Sequence, residues 1–323
     1  MQPDPFAIDE ASAMVNDVID RITDAVIAER YFLETVLTGV LARQHVLLED
    51  VPGTGKTLTA RVLAQALALD FNRIQFTPDL LPSDITGSNI YNEHEVEFEF
   101  NEGPVFANLV LADEINRAPP KTQAALLEAM EEKQITVDGD THALPNPFVV
   151  IATQNPIEQE GTFELPEAQR DRFIVKTTMG YPAREGELEL VDRRSNRRMQ
   201  IPDVDPVVST ADVRRLQQTP ETVRVDDSIR EYLVDLARAT RDVPQVETGV
   251  SPRGIQRLFE AARARAVIAG REYVAPDDVK QVARPVMRHR LVLTAEASIQ
   301  GVTGSEIVAD LLDRLEVPAV SPR

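Results

Sequence analysis

The sequence predicts an α/β fold, in which a parallel sheet is flanked by helices, followed by a small all-helical domain. Strand-like apolar segments alternate with helical segments as far as about Tyr181, which is the order that produces a parallel sheet. From about Arg184 onward, apolar residues recur at helical spacing and turn signals separate the helices. We therefore place an α/β domain at residues 1–192 and a helical domain at residues 193–323.

The first predicted element is a helical segment over residues 8–43. Its apolar residues lie three or four positions apart, the spacing that lines one face of a helix. They are Val15, Ile19, Ile22, Val26, Leu33, Leu37, Val40 and Leu41. The segment leads into the first apolar strand of the α/β domain.

That strand begins at His45 and is followed by a glycine-containing loop and the start of a helix. Such a loop binds phosphate because its backbone N–H groups and the helix N-terminus point toward the anion. We predict that the following residues bind the nucleotide: Asp50, Val51, Pro52, Gly53, Thr54, Gly55, Lys56, Thr57 and Leu58. Lys56 is expected to reach the terminal phosphates and Thr57 to ligate Mg²⁺. Asp50 stands where the usual pattern has glycine, whereas the two later glycines of the loop are present.

A later strand ends in two carboxylates. Residues 108–114 form a nearly continuous apolar run that closes with Asp113 and Glu114, and such a run suits a central parallel strand covered on both faces. Asp113 could hold the Mg²⁺ shell through water, and Glu114 could orient and deprotonate the attacking water. An acidic cap facing solvent would explain the pair in isolation, but the phosphate loop upstream favours catalysis. The two segments together predict a fold that hydrolyses ATP or GTP.

Two further segments carry candidate catalytic residues. Residues 148–155 form another apolar strand, and Asn155 at its end is predicted to lie near the γ-phosphate, because the carboxyl ends of parallel strands meet at the ligand. A surface cap is the alternative for Asn155. Arg170 and Arg172 follow on a short segment. Arginine can stabilise the charge of the transition state, often from a neighbouring subunit, although surface ion pairs would also account for both.

Two β-hairpins are predicted within the α/β domain. The first has an alternating strand at residues 95–100, with acids on one face, then a turn at residues 101–103 and a second strand at residues 104–106. The second turns at Asp138 and Gly139, and Asp-Gly between alternating strands is a strong hairpin signal. An extension of the sheet without a function would explain either hairpin as well as a functional role does.

The charge of the chain is strongly acidic. There are 53 acidic and 34 basic residues, a net charge of −19. Either this acidity repels nucleic acid and favours a basic partner, or it is an adaptation to high intracellular salt. The even spread of the acids and the scarcity of lysine favour a halophilic source. In both cases we expect no nucleic-acid partner.

Cysteines are absent, which excludes disulfides, thiolate metal sites and thiol nucleophiles. The four histidines lack the spacing of metal ligands and are expected to be polar surface residues. No apolar run approaches the length that spans a membrane. Residues 1–5 have neither the basic nor the apolar region of a signal peptide, so a cytoplasmic location is expected.

Four strings of residues resemble the MoxR family, in the helix-2-insert branch of the AAA+ ATPases. They occupy residues 75–87, 111–118, 152–156 and 251–253, and the resemblance spans nearly the whole chain. The two hairpins resemble the helix-2 insert and the pre-sensor hairpin of that branch. Family members also resemble this chain in carrying an acid at the position of Asp50. The resemblance implies a P-loop AAA+ core followed by a helical lid.

The resemblance implies a role for each residue of the nucleotide site. Lys56 and Thr57 correspond to the Walker A pair, and Asp113 and Glu114 correspond to Walker B. Asn155 corresponds to sensor 1. The implied cofactors are ATP and Mg²⁺.

The resemblance also implies roles for two arginines. Arg172 corresponds to the arginine finger, which would act on ATP held by the adjacent protomer, with Arg170 as the alternative. Arg253 corresponds to sensor 2 at the start of a lid helix, and it could act on its own ATP or on that of a neighbour.

The implied assembly is a homo-oligomeric ring, expected to be a hexamer, that acts as a chaperone-like motor. Similar proteins mature partners bearing von Willebrand factor A (VWA) domains or insert metals into them. The alternatives are a metal-chelatase motor subunit, a DNA-associated motor and a non-hydrolysing nucleotide switch. Acidic residues at the predicted hairpin turns argue against DNA, and Glu114 argues against a switch, which needs no carboxylate to activate water.

Overall fold

The computed structural model describes residues 3–94, 96–156, 162–163, 165–196 and 203–318. The first part contains α1 (Ile8–Ala25), α2 (Arg30–Leu41), β1 (His45–Glu49), α3 (Lys56–Ala66), β2 (Phe71–Gln75), α4 (Pro82–Thr86), β3 (Gly87–Asn92), β4 (Glu97–Glu102), β5 (Leu109–Asp113), α5 (Pro120–Glu132), β6 (Gln134–Val137), β7 (Asp140–Ala143), β8 (Val149–Gln154), α6 (Glu167–Arg170), β9 (Phe173–Thr177) and α7 (Arg184–Asn196). The second part contains α8 (Thr210–Leu216), α9 (Asp227–Ala239), β10 (Val246–Thr248), α10 (Pro252–Ile268), α11 (Pro276–Met287), β11 (Val292–Leu293), α12 (Ala295–Ile299) and α13 (Gly304–Arg314).

Five parallel strands form the central sheet, in the order β2–β5–β8–β1–β9. Every residue of β5 is buried, as are the first five of β8, because helices cover both faces of the sheet. The parallel α/β architecture predicted from the alternating segments is confirmed. All five strands end at the same edge, so the residues that follow β1, β5 and β8 are brought together there.

The predicted N-terminal helical segment is two helices, because Val26 takes an extended backbone and ends α1. The apolar faces of α1 and α2 pack with α3 and with one face of the sheet. Helices of the second domain join the same continuous apolar core. The other face of the sheet packs against α5 in a second apolar cluster.

In its described residues, the second domain is built from helices and carries a short antiparallel strand pair, β10 with β11. Helix α10 packs against α11, α1 and α2. The contact with α2 includes an ion pair of 3.0 Å between Arg265 and Glu34, both of whose side chains are only 14% exposed. The boundary that we placed after residue 192 falls inside α7 and stays a prediction.

The first hairpin differs from the prediction. Strands β3 and β4 pair antiparallel, with Gly87 opposite Glu102 and Asn92 opposite Glu97. The turn therefore lies between Asn92 and Glu97, not at residues 101–103, and residues 104–106 are not a strand. Gly103 lies at the base of the hairpin, where a Cβ on it would collide with the carbonyl of Ile85. The glycine thus permits close packing of two chain segments rather than a turn, and Glu95 lies outside the described residues.

The second hairpin, β6 with β7, is confirmed. Its strands are joined by Asp138 and Gly139, with φ angles of +52° and +98°. Positive φ at both turn positions is the backbone of a tight two-residue hairpin, and this is the reason for the Asp-Gly sequence. Within the described ranges, no helix combines the length and apolarity needed to cross a membrane.

Candidate active site

The loop between β1 and α3 has the backbone of a phosphate-binding loop. Gly53 and Gly55 have φ angles of +85° and +96°, in the left-handed region that glycine adopts without strain. Helix α3 begins immediately afterwards, so its free N–H groups face the loop. The Lys56 ammonium donates to the carbonyl oxygens of Asp50 at 3.0 Å and Val51 at 2.9 Å, and it therefore lies inside the curve of the loop.

The carboxylate of Asp50 binds the segment that follows β9. It accepts hydrogen bonds from the backbone N–H groups of Met179 and Gly180, the latter at 3.2 Å, and the residue is only 5% exposed. The Met179 sulfur in turn lies 3.7 Å from the hydroxyl of Thr59 on α3. The acid that replaces the usual glycine thus attaches the start of the loop to a neighbouring chain segment.

Asp113, the last residue of β5, is held by residues of the two adjacent strands. Its Oδ1 accepts a hydrogen bond of 2.6 Å from the hydroxyl of Thr153 on β8. Its Oδ2 accepts from Arg73 on β2, at 3.0 Å from Nε and 2.8 Å from Nη2. Both carboxylate oxygens are therefore fixed in direction.

Glu114 follows directly and is also fixed by neighbours. Its backbone has φ 58° and ψ 49°, a left-handed conformation that is uncommon outside glycine and concentrates at functional sites. Its N–H donates to the Thr153 hydroxyl at 2.8 Å, and its Oε2 accepts from Gln75 at 2.9 Å. The Arg117 guanidinium lies 3.4 Å from the same oxygen. One hydroxyl, that of Thr153, thus contacts both members of the carboxylate pair.

Asn155 lies at the same edge of the sheet as the phosphate-binding loop. It follows β8 directly and is only 7% exposed. In the register of β1 and β8, Glu49 lies opposite Gln154, and the Asp50 N–H donates to the Gln154 carbonyl at 3.1 Å. Asn155 is therefore level with the beginning of the loop.

The oxygen donors at this edge suit Mg²⁺ bound together with a nucleotide. Thr57 in the first turn of α3 supplies a hydroxyl, and Asp113 supplies a carboxylate. Mg²⁺ beside phosphates needs only one or two protein oxygen ligands, because water and phosphate complete its shell. No group of three or more metal-ligating side chains occurs in the described part of the chain.

Arg172 lies at the opposite edge of the sheet. It immediately precedes β9, whose first residue pairs with His45 at the start of β1. Asp50 is five residues further along, so about 16 Å of strand separates Arg172 from the loop. In the described residues, Arg172 forms no hydrogen bond or ion pair with the loop, Asp113 or Glu114.

Arg172 and Arg253 are brought together by one carboxylate. Glu131, near the end of α5, contacts Arg172 at 2.7 Å and Arg253 at 3.1 Å. Arg253 also lies 3.8 Å from Asp171, whose other oxygen accepts from the buried Arg290 at 2.7 Å. The two candidate trans-acting arginines, which are 81 residues apart in the chain, thus share one surface.

Two of the four histidines are buried, so the expectation that all lie at the surface is wrong. His45 accepts from the Val150 N–H at 2.9 Å through Nδ1 and donates to the Met130 carbonyl at 3.1 Å through Nε2. Burial lowers the pKa of His45 to about 4. Burial also lowers the pKa of His289, which contacts the Phe173 carbonyl at 3.0 Å. Both are neutral structural side chains that connect the sheet to helices.

Several residues of the site were not identified from the sequence. Arg73 and Gln75 are two positions apart, so their side chains share one face of β2, and this alternation was the available signal. The roles of Thr153 and Glu131 depend on contacts between distant segments, for which the sequence offered no local signal.

Comparison with known protein families finds a match in each half of the chain. Residues 45–175 match the model of the "ATPase family associated with various cellular activities (AAA)", and residues 238–311 match the AAA lid domain. The chain is 48% identical to the uncharacterized protein YeaC of Bacillus subtilis, over 94% of this chain and 95% of that protein. It is 43% identical to chaperone MoxR1 of Mycobacterium tuberculosis, over 92% and 80%, respectively. It is 32% identical to protein MoxR of Paracoccus denitrificans, over 89% and 91%.

A solved structure agrees with these matches. A protein from Cytophaga hutchinsonii, assigned as an ATPase, superimposes with a TM-score of 0.89 and 41% identity over 96% of each chain. The sheet order, the phosphate-binding loop and the lid define a AAA+ protein. Within that class, the chain belongs to the MoxR family. The fold class and the family indicated by the resemblance are both confirmed.

Proposed function

We propose that this chain hydrolyses ATP with Mg²⁺ at sites between the protomers of a ring and uses the cycle to remodel protein clients. The observation that carries the proposal is the position of Arg172. It lies across the sheet from its own phosphate-binding loop, about 16 Å of strand away. An arginine placed there can complete a nucleotide site only on a second copy of the chain.

Within one protomer, the residues at the carboxyl edge of the sheet divide the chemistry. Lys56 and the N–H groups of the loop would bind the phosphates, and Thr57 and Asp113 would hold the metal. Bound Mg²⁺ would neutralise charge on the phosphate oxygens. Glu114 orients the attacking water and accepts its proton, and Asn155 positions that water.

The neighbouring protomer supplies positive charge at the transferred phosphate. An arginine delivered in this way is worth about 10³–10⁵ in kcat. Because Arg253 shares Glu131 with Arg172, we assign Arg253 to the same neighbouring nucleotide, and Arg172 rather than Arg170 to the finger. An interface that joins two different faces of the protomer forms a ring when the rotation between neighbours closes, and the ring that we propose is a hexamer.

The β3–β4 hairpin is the candidate contact for clients. Phe98 is 71% exposed and packs edge to face on Tyr91, with ring centroids 5.3 Å apart. Glu93, Glu97 and Glu99 of the same hairpin are also exposed, and strand alternation places Glu97 and Glu99 on the face opposite Phe98. A hairpin with exposed aromatic rings on one face and carboxylates on the other suits apolar and basic protein segments. A relative named as a chaperone, MoxR1, supports client remodelling, and clients with VWA domains or metal sites remain the proposed class.

The first test is ATP hydrolysis by the wild type and by Glu114→Gln, in Mg²⁺ and molar KCl. We expect turnover in the wild type and its loss in the variant, with nucleotide still bound. Glu128→Gln is the control, since this exposed side chain lies on α5 and forms no ion pair in the described structure. Equal turnover in wild type and Glu114→Gln would refute the proposed mechanism.

The second test asks whether arginines act between protomers. Lys56→Ala lacks phosphate binding and Arg172→Ala lacks the finger, so each should be inactive alone. When the two variants are co-expressed, some sites lie between an Arg172→Ala protomer and a Lys56→Ala protomer. Such a site is intact when the first protomer supplies Lys56 and the second supplies Arg172. Recovery of turnover in the mixture, with a ring by sedimentation, supports the proposal. An active Arg172→Ala protein would contradict it.

A further inference from the structure

Glu131 is the one acidic side chain, among the described residues, that contacts both candidate trans-acting arginines. Its Oε2 lies 2.7 Å from Nη1 of Arg172, and its Oε1 lies 3.1 Å from Nη2 of Arg253. Each carboxylate oxygen of Glu131 therefore contacts a different guanidinium group. The same Arg172 nitrogen also donates to the carbonyl of Leu127, one turn earlier on α5.

The helix that carries Glu131 is fixed at its other end to the segment that follows the carboxylate pair. Gln123 on α5 donates to the carbonyl oxygens of Ile115 at 3.1 Å and Ala118 at 3.1 Å, in the segment that follows Glu114. Thr122 donates to the Leu80 carbonyl at 2.7 Å. Glu131 therefore lies on an anchored helix, and its carboxylate holds the ends of both arginine side chains.

The contribution of this cluster to folding is small. The side chains of Glu131 and Arg253 are 37% and 41% exposed, and exposed ion pairs contribute at most about 1 kcal/mol. Arginine side chains are long, however, and an unrestrained one samples many rotamers. The shared carboxylate restricts these rotamers. We therefore expect it to affect the rate of hydrolysis, which depends on where the guanidinium groups lie, more than the stability of the fold.

The geometry points to Glu131 as a positioning residue, which orients Arg172 and Arg253 for the ATP of the neighbouring protomer. This inference rests on the proposed function, because it requires that the two arginines act between protomers. Glu131 would contact neither ATP nor the reacting atoms. It orients the guanidinium groups of Arg172 and Arg253, which would contact that ATP.

The test begins with Glu131→Gln in the full-length protein. We expect kcat to fall by about 10-fold to 100-fold, as for a catalytic group misplaced by about 1 Å, while the KM for ATP and the binding of nucleotide change little. Glu131→Asp, which keeps the charge, should recover part of the rate. Glu132→Gln is the matched control, because this neighbouring acid forms no ion pair in the described ranges. A wild-type kcat in Glu131→Gln would overturn the inference.

Mixed rings distinguish positioning from a general structural defect. When Glu131→Gln is co-expressed with Lys56→Ala, some sites combine the intact phosphate-binding loop of a Glu131→Gln protomer with the correctly held arginines of a Lys56→Ala protomer. Turnover should recover at these sites. No recovery would mean that Glu131→Gln damages its own nucleotide site, and the inference would be wrong. The Arg172→Ala and Lys56→Ala mixture is run alongside. If that mixture fails as well, the proposed action between protomers fails, and the inference fails with it.

Discussion

Replacing Thr153 by valine removes a hydroxyl that contacts both Asp113 and Glu114, while it keeps the shape of the side chain. The substitution leaves Asp113 Oδ1 without its 2.6 Å donor and the Glu114 N–H without its 2.8 Å acceptor. Thr153 is 1% exposed, so water cannot readily replace the lost partner. Each buried group left unpaired costs about 1–3 kcal/mol, so the free energy of unfolding should fall by about 2–6 kcal/mol for the two groups together.

The catalytic effect follows from the backbone of Glu114. Its left-handed conformation is fixed in part by the Thr153 hydroxyl, and once released it can relax and move the carboxylate. We expect kcat for ATP to fall about 10-fold to 100-fold, measured in Mg²⁺ and molar KCl beside urea unfolding curves. Thr153→Ser keeps the hydroxyl and loses only a methyl group, so its kcat should stay close to wild type. If serine and valine lowered kcat equally, or if valine had no effect, the proposed bridging role would be refuted.

Two further predictions concern other parts of the molecule. The pKa of His45 is about 4 in the folded protein, whereas its usual value is 6.5. Because the folded state requires the neutral ring, the contribution of His45 to the free energy of unfolding is complete above pH 6.5 and is lost as the pH falls toward 4. That loss amounts to about 3 kcal/mol, so urea midpoints should fall on acidification, less so in His45→Gln; equal falls would contradict the assignment. Gly55→Ala should weaken ATP binding, because alanine disfavours the φ of +96° that the phosphate-binding loop requires there. The effect would come from the backbone alone, since no neighbour obstructs a Cβ at this position. The control Gly139→Ala, at φ +98° with nothing within 4 Å, should leave binding in an ATP titration unchanged; weaker binding in both would show a general loss of stability.

The parts of the fold that the sequence predicted correctly are those with local signals. The strand that ends in Asp113 is a continuous apolar run, and it is buried along its whole length. The turn at Asp138 and Gly139 was predicted because its backbone requires residues that tolerate positive φ. In both cases the physical cause lies within a few residues.

The incorrect predictions have causes outside the local sequence. Gly103 was interpreted as part of a turn, but its backbone packs against that of Ile85 in another segment. His45 was expected at the surface, yet both ring nitrogens find partners on α5 and β8. Thr153 lies 40 positions from Asp113, and Glu131 lies about 40 positions from Arg172 and 122 from Arg253, and no local pattern records such contacts.

The continuous core shared by the two domains determines how the molecule can move. Helices of the second domain pack into the same apolar cluster as α1, α2 and α3, and Arg265 forms an ion pair with Glu34 across that contact. Opening a hinge between the domains would expose this apolar surface to water, at about 25 cal/mol for each Å². If the chain acts in the ring proposed above, the two domains of each protomer would move together, and the motion would occur at the contacts between neighbouring copies.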